Sequence, residues 1–292
     1  MLYELRERPV LAEPVLVLAL EGWIDAGFGA ATARRALLNL VDTTEVATFD
    51  TDRLLDFRAR RPTMHLVAGE VSAMKWPTIE LRAGRDMAGT SLLFLTGAEP
   101  DHAWHAFCAA MVELVARFEV RSVIGLGAYP TAVPHTRPSR LAVSTSSPSL
   151  TDGRGYLRAT IDVPAGVQTA VEKACSEAGV PAAGLWAQVP HYVATMPYPG
   201  AAATLVDGLA ELADVKADAS ALHAEAVAMR ERLDELVAAN PEHVTMVRQL
   251  EEQYDAEADA GIDQGGLAGG RLPTADELAA EVERFLREQG GT

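Results

Sequence analysis

The sequence predicts an α/β protein, a three-layer α/β/α sandwich on a mostly parallel or mixed sheet, followed by a C-terminal helical region. Three observations carry that expectation. Short, nearly unbroken apolar runs recur up to about residue 190, the pattern of strands covered on both faces. Helical patterns separate most of them, which implies parallel pairing through right-handed crossovers. The remainder of the chain changes texture: residues 1–203 hold 21 acidic and 18 basic residues, whereas residues 204–292 hold 20 acidic and 7 basic.

Taken in order, Val15-Leu-Val-Leu-Ala-Leu20 is a continuous apolar run and reads as a buried strand. The loop Glu21-Gly-Trp-Ile-Asp25 follows, then a helical stretch over 29–40. Apolar runs at 46–49, 91–95, 122–126, 141–144 and 184–189 are further strands, with strong helices over 101–118 and 166–178. Residues 64–67 and 78–83 read as a less regular strand pair, so the sheet is expected to be mixed. A helix over 205–215 should pack on the sheet as the last core helix. Over 220–239, Leu222, Ala226, Met229, Leu233 and Leu236 are spaced 4-3-4-3 and form one apolar stripe. Asn240-Pro241 supplies an N-cap and an N1 proline for a next helix, whose apolar face carries Val244, Val247, Leu250 and Tyr254. The expected organisation is therefore an α/β core domain over 1–216 and an acidic, helical hairpin-like extension over 217–260. A Gly-rich linker over 261–273 holds five glycines in the ten residues 261–270, and a C-terminal helix over 274–292 opens on the capping box Thr274-Ala-Asp-Glu277.

Composition excludes several classes. A formal net charge of -16 argues against binding nucleic acid or an anionic membrane, which want a positive face. No apolar run approaches the roughly 20 residues of a membrane span, and MLYELRERPV lacks the apolar segment of a leader. Cys108 and Cys175 give no disulfide framework, which fits a reducing cytoplasm, and both fall in helices as small buried hydrophobes. Gly27-Phe-Gly29 follows a strand, yet Thr32 stands where a dinucleotide fingerprint wants its third glycine. No P-loop lysine motif and no Gly-x-Ser-x-Gly elbow occurs. No cofactor or metal is expected.

In an open α/β sheet, ligands bind where loops leave the carboxyl ends of strands. The predicted loops there are rich in polar and aromatic residues, and the topology brings Trp23, Asp25, Glu99, Asp101, Tyr129, His135, Arg137, His191 and Tyr192 to one edge. These are the candidate ligand or interface residues; none has an assigned catalytic role. Asp101 is equally the expected N-cap of its helix, and His102 and His105, three apart, share a helix face that suits a metal or acid/base site. His135-Thr-Arg137 suits an anion. The competing reading is a rigid capping layer or an oligomer interface. His65, His223 and His243 read as surface or filler residues.

Four motifs follow one another in order along the chain. They are Glu21-Gly-Trp-Ile-Asp-Ala-Gly-Phe-Gly-Ala30; Gly97-Ala-Glu-Pro-Asp101 with Trp104; Gly125-Leu-Gly-Ala-Tyr-Pro-Thr-Ala-Val-Pro-His-Thr-Arg-Pro138; and Gly184-Leu-Trp-Ala-Gln-Val-Pro-His-Tyr192 with Pro197-Tyr-Pro-Gly-Ala201. Together they resemble the proteasome assembly chaperone 2 family, in its uncharacterised actinobacterial-type branch, over about residues 10–215. The resemblance implies a phosphorylase/hydrolase-like three-layer core, often assembled into homo-oligomers, with proteasome subunits or another protein as partners. Some relatives dock through a C-terminal hydrophobic–Tyr–X tail; this chain ends Arg287-Glu-Gln-Gly-Gly-Thr292, so docking by that route is not expected.

Two functional readings follow. One is a non-enzymatic, oligomeric interaction protein or assembly chaperone, with the helical extension as docking surface. The other is a hydrolase- or phosphorylase-like enzyme or small-ligand binder using the loop edge. The apolar stripe of 220–239 suits a foreign partner in the first reading, and equally suits packing on the chain's own core.

Overall fold

The structure is a computed structural model and describes residues 2–21 and 24–259. Trp23, the linker expected over 261–273 and the helix expected over 274–292 lie outside the described residues.

An eight-stranded mixed sheet forms the middle layer, in the order β1 (Tyr3–Leu5), β3 (Thr44–Phe49), β6 (Ile79–Arg85), β7 (Ser91–Ala98), β2 (Val15–Glu21), β8 (Ser122–Thr131), β10 (Ala182–Pro190), β9 (Leu141–Thr145). The central four, β7-β2-β8-β10, run parallel; β6, β3, β1 on one side and β9 on the other add antiparallel pairs. The period-2 rule divides the core cleanly. In β2, Val15 and Val17 face one layer while Leu16 and Leu18 face the other, all essentially inaccessible. Each such side chain contributes about 1.5–3 kcal/mol by leaving water.

The first layer holds α1 (Gly29–Leu40) and α6 (Pro199–Ala213), and α7 (Ser220–Ala238) packs on the outside of α6. The second holds α3 (Trp104–Arg117) and α5 (Val167–Glu177), which pack on each other and on the sheet. Two one-turn helices, α2 (Thr51–Leu54) and α4 (Pro148–Thr151), sit in connections. The last described helix is α8 (Pro241–Asp259), where the Asn240 side chain accepts the Glu242 N–H at 2.9 Å, as its N-cap position predicts.

Two expectations need correction. Residues 64–67 do not pair with 78–83: β4 (Thr63–Val67) pairs with β5 (Glu70–Lys75) as a separate hairpin, and β6 joins the main sheet beside β7. Asp101 is not the N-cap of α3, which begins at Trp104. Its carboxylate instead accepts the Asp56 N–H at 2.9 Å and pairs with Arg60. The apolar stripe of α7 turns inward, with Leu222 and Leu233 buried against the α6 layer, but its last member, Leu236, is exposed. Among the described residues no helix is long and apolar enough to cross a membrane.

Candidate functional site

The four parallel strands deliver their following loops to one edge, and the structure divides the candidate residues there into two groups. The first lies between the ends of β2 and β7. The Asp25 carboxylate accepts the N–H groups of Ala30 at 2.7 Å and Ala31 at 3.0 Å, so it caps α1 across a short 3-10 turn. Glu99 Oε1 accepts the Val167 N–H at 2.7 Å; because the N-cap of α5 is Gly166, with no side chain to offer, a loop residue 68 positions away supplies the missing acceptor. Burial pushes both carboxyls above their ordinary range, and the helix N–H groups they cap oppose that shift. Leu20, Ile24, Leu126, Gly127, Gln168 and Trp186 complete the walls of a cavity of about 20 Å³ between them. That is room for about one water molecule.

Behind this cavity lies a pair the candidate residues did not include. Gln168 and Glu172 stand one turn apart on the buried face of α5. Glu172 Oε1 and Gln168 Nε2 are buried without hydrogen-bond partners. Both occupy space left by glycine: a Cβ on Gly125 would overlap Glu172 Oε1 and come 2.7 Å from the Gln168 carboxamide carbon. Burial pushes the Glu172 carboxyl up to about 8, with Gln168 beside it opposing part of the rise. Two signals in the sequence mark this pair. Glycines in strand interiors announce a close approach, and polar residues interrupt the stripe Val167, Val171, Cys175.

The second group lies after β8 and β10, under the acidic helices. His135 is 3% exposed. Its backbone N–H donates to the Tyr192 hydroxyl oxygen at 2.8 Å, while that hydroxyl lies 2.7 Å from Nδ1. The hydroxyl proton therefore goes to Nδ1, and Nε2 carries the ring proton toward Asp234 Oδ1 on α7 at 3.2 Å. Burial lowers the imidazole's affinity for a proton, and Asp234 pulls the other way. Arg137 makes a two-pronged pair with Asp255 of α8, at 2.8 and 2.6 Å, and reaches Glu251 at 3.1 Å. Thr136 Oγ1 donates to Glu251 as well. Arg140 lies 3.6 Å over the Tyr254 ring, whose hydroxyl donates to the Pro138 carbonyl at 2.9 Å. Tyr129 is half-buried beside Gln188, and burial raises its hydroxyl pKa, with Glu257 of α8 adding to the rise. His191 packs edge-on against Tyr192, its Nδ1 buried without a partner.

Among the described candidates, Asp25 and Glu99 line one small cavity, whereas His135 contacts Tyr192 and Asp234 and Arg137 pairs with α8. Asp101 belongs to neither group, since it ties the edge to Arg60. His102 and His105 are exposed, and no group of three metal-ligating side chains occurs among the described residues. Arg137 is not free for an anion, because carboxylates of α8 already occupy it. Replacing it with alanine should loosen α8 selectively. Amide exchange and protease cleavage within 241–259 should rise several-fold while exchange in β2 and β8 stays unchanged. Equal protection in both proteins would show that the pair does not hold the helix.

A mixed eight-stranded sandwich, its loop edge capped from within and overlaid by acidic helices, defines a three-layer α/β protein with a helical arm. The chain belongs to the PAC2 family, whose sequence pattern matches residues 19–237. Among solved structures it is similar to a Corynebacterium glutamicum protein of unknown function, at 33% identity over 89% of this chain and 98% of that one, TM-score 0.84. A Mycobacterium tuberculosis protein of unknown function is 37% identical over 89% of this chain and 90% of its own, TM-score 0.81. The Mycobacterium tuberculosis proteasome-assembly chaperone homologue is 29% identical over 80% and 99%, TM-score 0.74. A search of curated proteins finds no match.

Proposed function

We propose that this protein is a non-enzymatic, assembly-chaperone-like member of the PAC2 family that works in the cytoplasm as a homo-oligomer and takes proteasome subunits as partners. The supporting observation is what the edge residues do. Asp25 and Glu99 serve as helix caps, and His135 and Arg137 are engaged by the chain's own arm. The cavity left between the caps has about 20 Å³, against the several hundred that a small-molecule site occupies. Similarity to a proteasome-assembly chaperone homologue supplies the partner class.

The test combines the purified chain with separately purified proteasome α and β subunits of the same organism, followed by native gels over time. Half-proteasomes and complete cores should form faster and in higher yield when the chain is present. Unchanged rate and yield at several-fold molar excess would overturn the reading. Turnover of a nucleoside, peptide or amide substrate that Asp25→Asn or Glu99→Gln abolishes would replace it with the enzymatic one.

A further inference from the structure

A larger cavity, of about 340 Å³, shares no residue with either group at the loop edge. It lies between α6 and residues 154–156, on the side of β9, the last strand of the sheet. The Leu157 N–H donates to the Leu141 carbonyl at 2.9 Å and holds that segment beside β9. Such a volume is in the range of small-molecule sites. Thr204, Asp207, Gly208 and Glu211 follow at spacings of three, one and three, so they share one face of α6. Asp207 and Glu211 are exposed and form the rim, whereas Gly208 and Tyr156 are buried and form the floor. A Cβ on Gly208 would come 2.3 Å from Leu141 Cδ1, so close packing fixes that floor.

The lining groups keep unused hydrogen-bonding capacity of both kinds. The Tyr156 hydroxyl is buried and has no partner among the described residues. Burial and the Glu211 carboxylate raise its pKa while Arg154 opposes them, so it stays protonated, a donor beside that ion pair. Arg154 makes both of its hydrogen bonds to Glu211 from Nη1, at 2.8 Å to Oε1 and 3.2 Å to the carbonyl. Its fork of Nε and Nη2 therefore has no partner among the described residues. On the acceptor side, His223 of α7 engages Asp207 through Oδ2 at 2.8 Å, which leaves Oδ1. Donors and acceptors are thus separated by one turn of α6, roughly 5–6 Å. A ligand that answers both carries an ammonium for Asp207 and a carboxylate for Arg154 and Tyr156. A plain amine leaves the two donors unanswered, and a bare anion meets two carboxylates. A divalent cation lacks ligands, since no group of three metal-ligating side chains occurs among the described residues.

We infer that this cavity binds a free α-amino acid with an apolar side chain: Asp207 takes the ammonium, Arg154 and the Tyr156 hydroxyl take the carboxylate, and Leu141 meets the side chain. The site goes beyond the proposed function and does not depend on it.

Isothermal titration of the full chain with L-leucine tests it, beside isoamylamine and isocaproate, which each lack one of leucine's charged groups. Leucine should bind saturably, and either analogue about tenfold more weakly or worse. Asp207→Asn, a change at the exposed rim, and Arg154→Gln should each weaken leucine by about tenfold or more. Tyr156→Phe keeps the ring and its packing, so it should weaken leucine several-fold with unchanged far-UV circular dichroism. Absence of saturable leucine binding at millimolar concentration overturns the inference. Leucine binding that Asp207→Asn and Tyr156→Phe leave intact overturns this cavity as the site. Isoamylamine binding as tight as that of leucine overturns the amino acid as ligand, because the contacts to the carboxylate would then contribute nothing.

Discussion

Glu172→Gln should make the chain more stable than wild type, and the advantage should grow with pH. The carboxyl is fully enclosed on α5 beneath Gly125 and Gly184, its Oε1 has no partner, and burial pushes its pKa from the ordinary 4.5 to about 8. Between these values the native state keeps a proton that the unfolded chain has already released. Raising pH through this window therefore favours unfolding, by about 1.4 kcal/mol per unit, until the native carboxyl ionises near pH 8. Below about pH 4.5 both states are protonated and the contribution is flat. Glutamine has nearly the shape of the neutral acid and no charge to bury, so the stability difference should widen by about 4 kcal/mol from pH 5 to pH 8.5. Urea unfolding of both proteins at pH 5, 7 and 8.5 measures it. Parallel stability curves would mean that Glu172 ionises normally in the folded state. The raised carboxyls of Asp25 and Glu99 work in the same direction, and the lowered imidazole of His135 works against them.

What the sequence revealed and what it hid have physical reasons. The parallel centre was legible because strands buried on both faces have almost no alternative reading, and 15–20, 91–95, 122–126 and 184–189 all lie within the central strands. From these strands the shared edge followed directly. The β4–β5 hairpin was hidden by its turn. Ala68 and Gly69 both have positive φ, 51° and 89°, where such turns usually announce themselves by Asn-Gly or Asp-Gly. The roles of Asp25 and Glu99 were hidden for a different reason. A carboxylate that caps a helix from a distant loop is chemically the same residue as one that binds a ligand, and only the position of Val167 tells them apart. Charge patterning located the acidic arm but not its destination, because Arg137 and Asp255 meet across 118 residues of sequence. Glu172 leaves a legible signal in the sequence, a carboxylate beside the apolar helix stripe of α5.

The glycine that opens the Gly97-Ala-Glu-Pro-Asp101 motif should be the least replaceable residue near the edge, and Gly97→Ala should cost about 3–5 kcal/mol. Two separate effects contribute. The backbone there has φ of +111°, a region that costs an L-residue about 1–3 kcal/mol. A Cβ would also overlap the Thr78 carbonyl oxygen and stand 2.9 Å from Ile79 Cα. Both obstacles are backbone, so relief requires β6 to move from β7, where Ile79 pairs with Gly97. That movement displaces Glu99 two residues on, withdrawing the cap from α5 and reopening the cavity wall. Gly89→Ala separates the two effects, because Gly89 has φ of +87° with open space around it. Urea unfolding should place Gly89→Ala about 1 kcal/mol below wild type and Gly97→Ala several times further. Equal losses would mean that strain alone explains Gly97 and that the β6–β7 contact has room to spare. A larger loss for Gly97, with weakened amide protection in the first turn of α5, would show that the motif is built to bring one strand close enough to carry the cap of a distant helix.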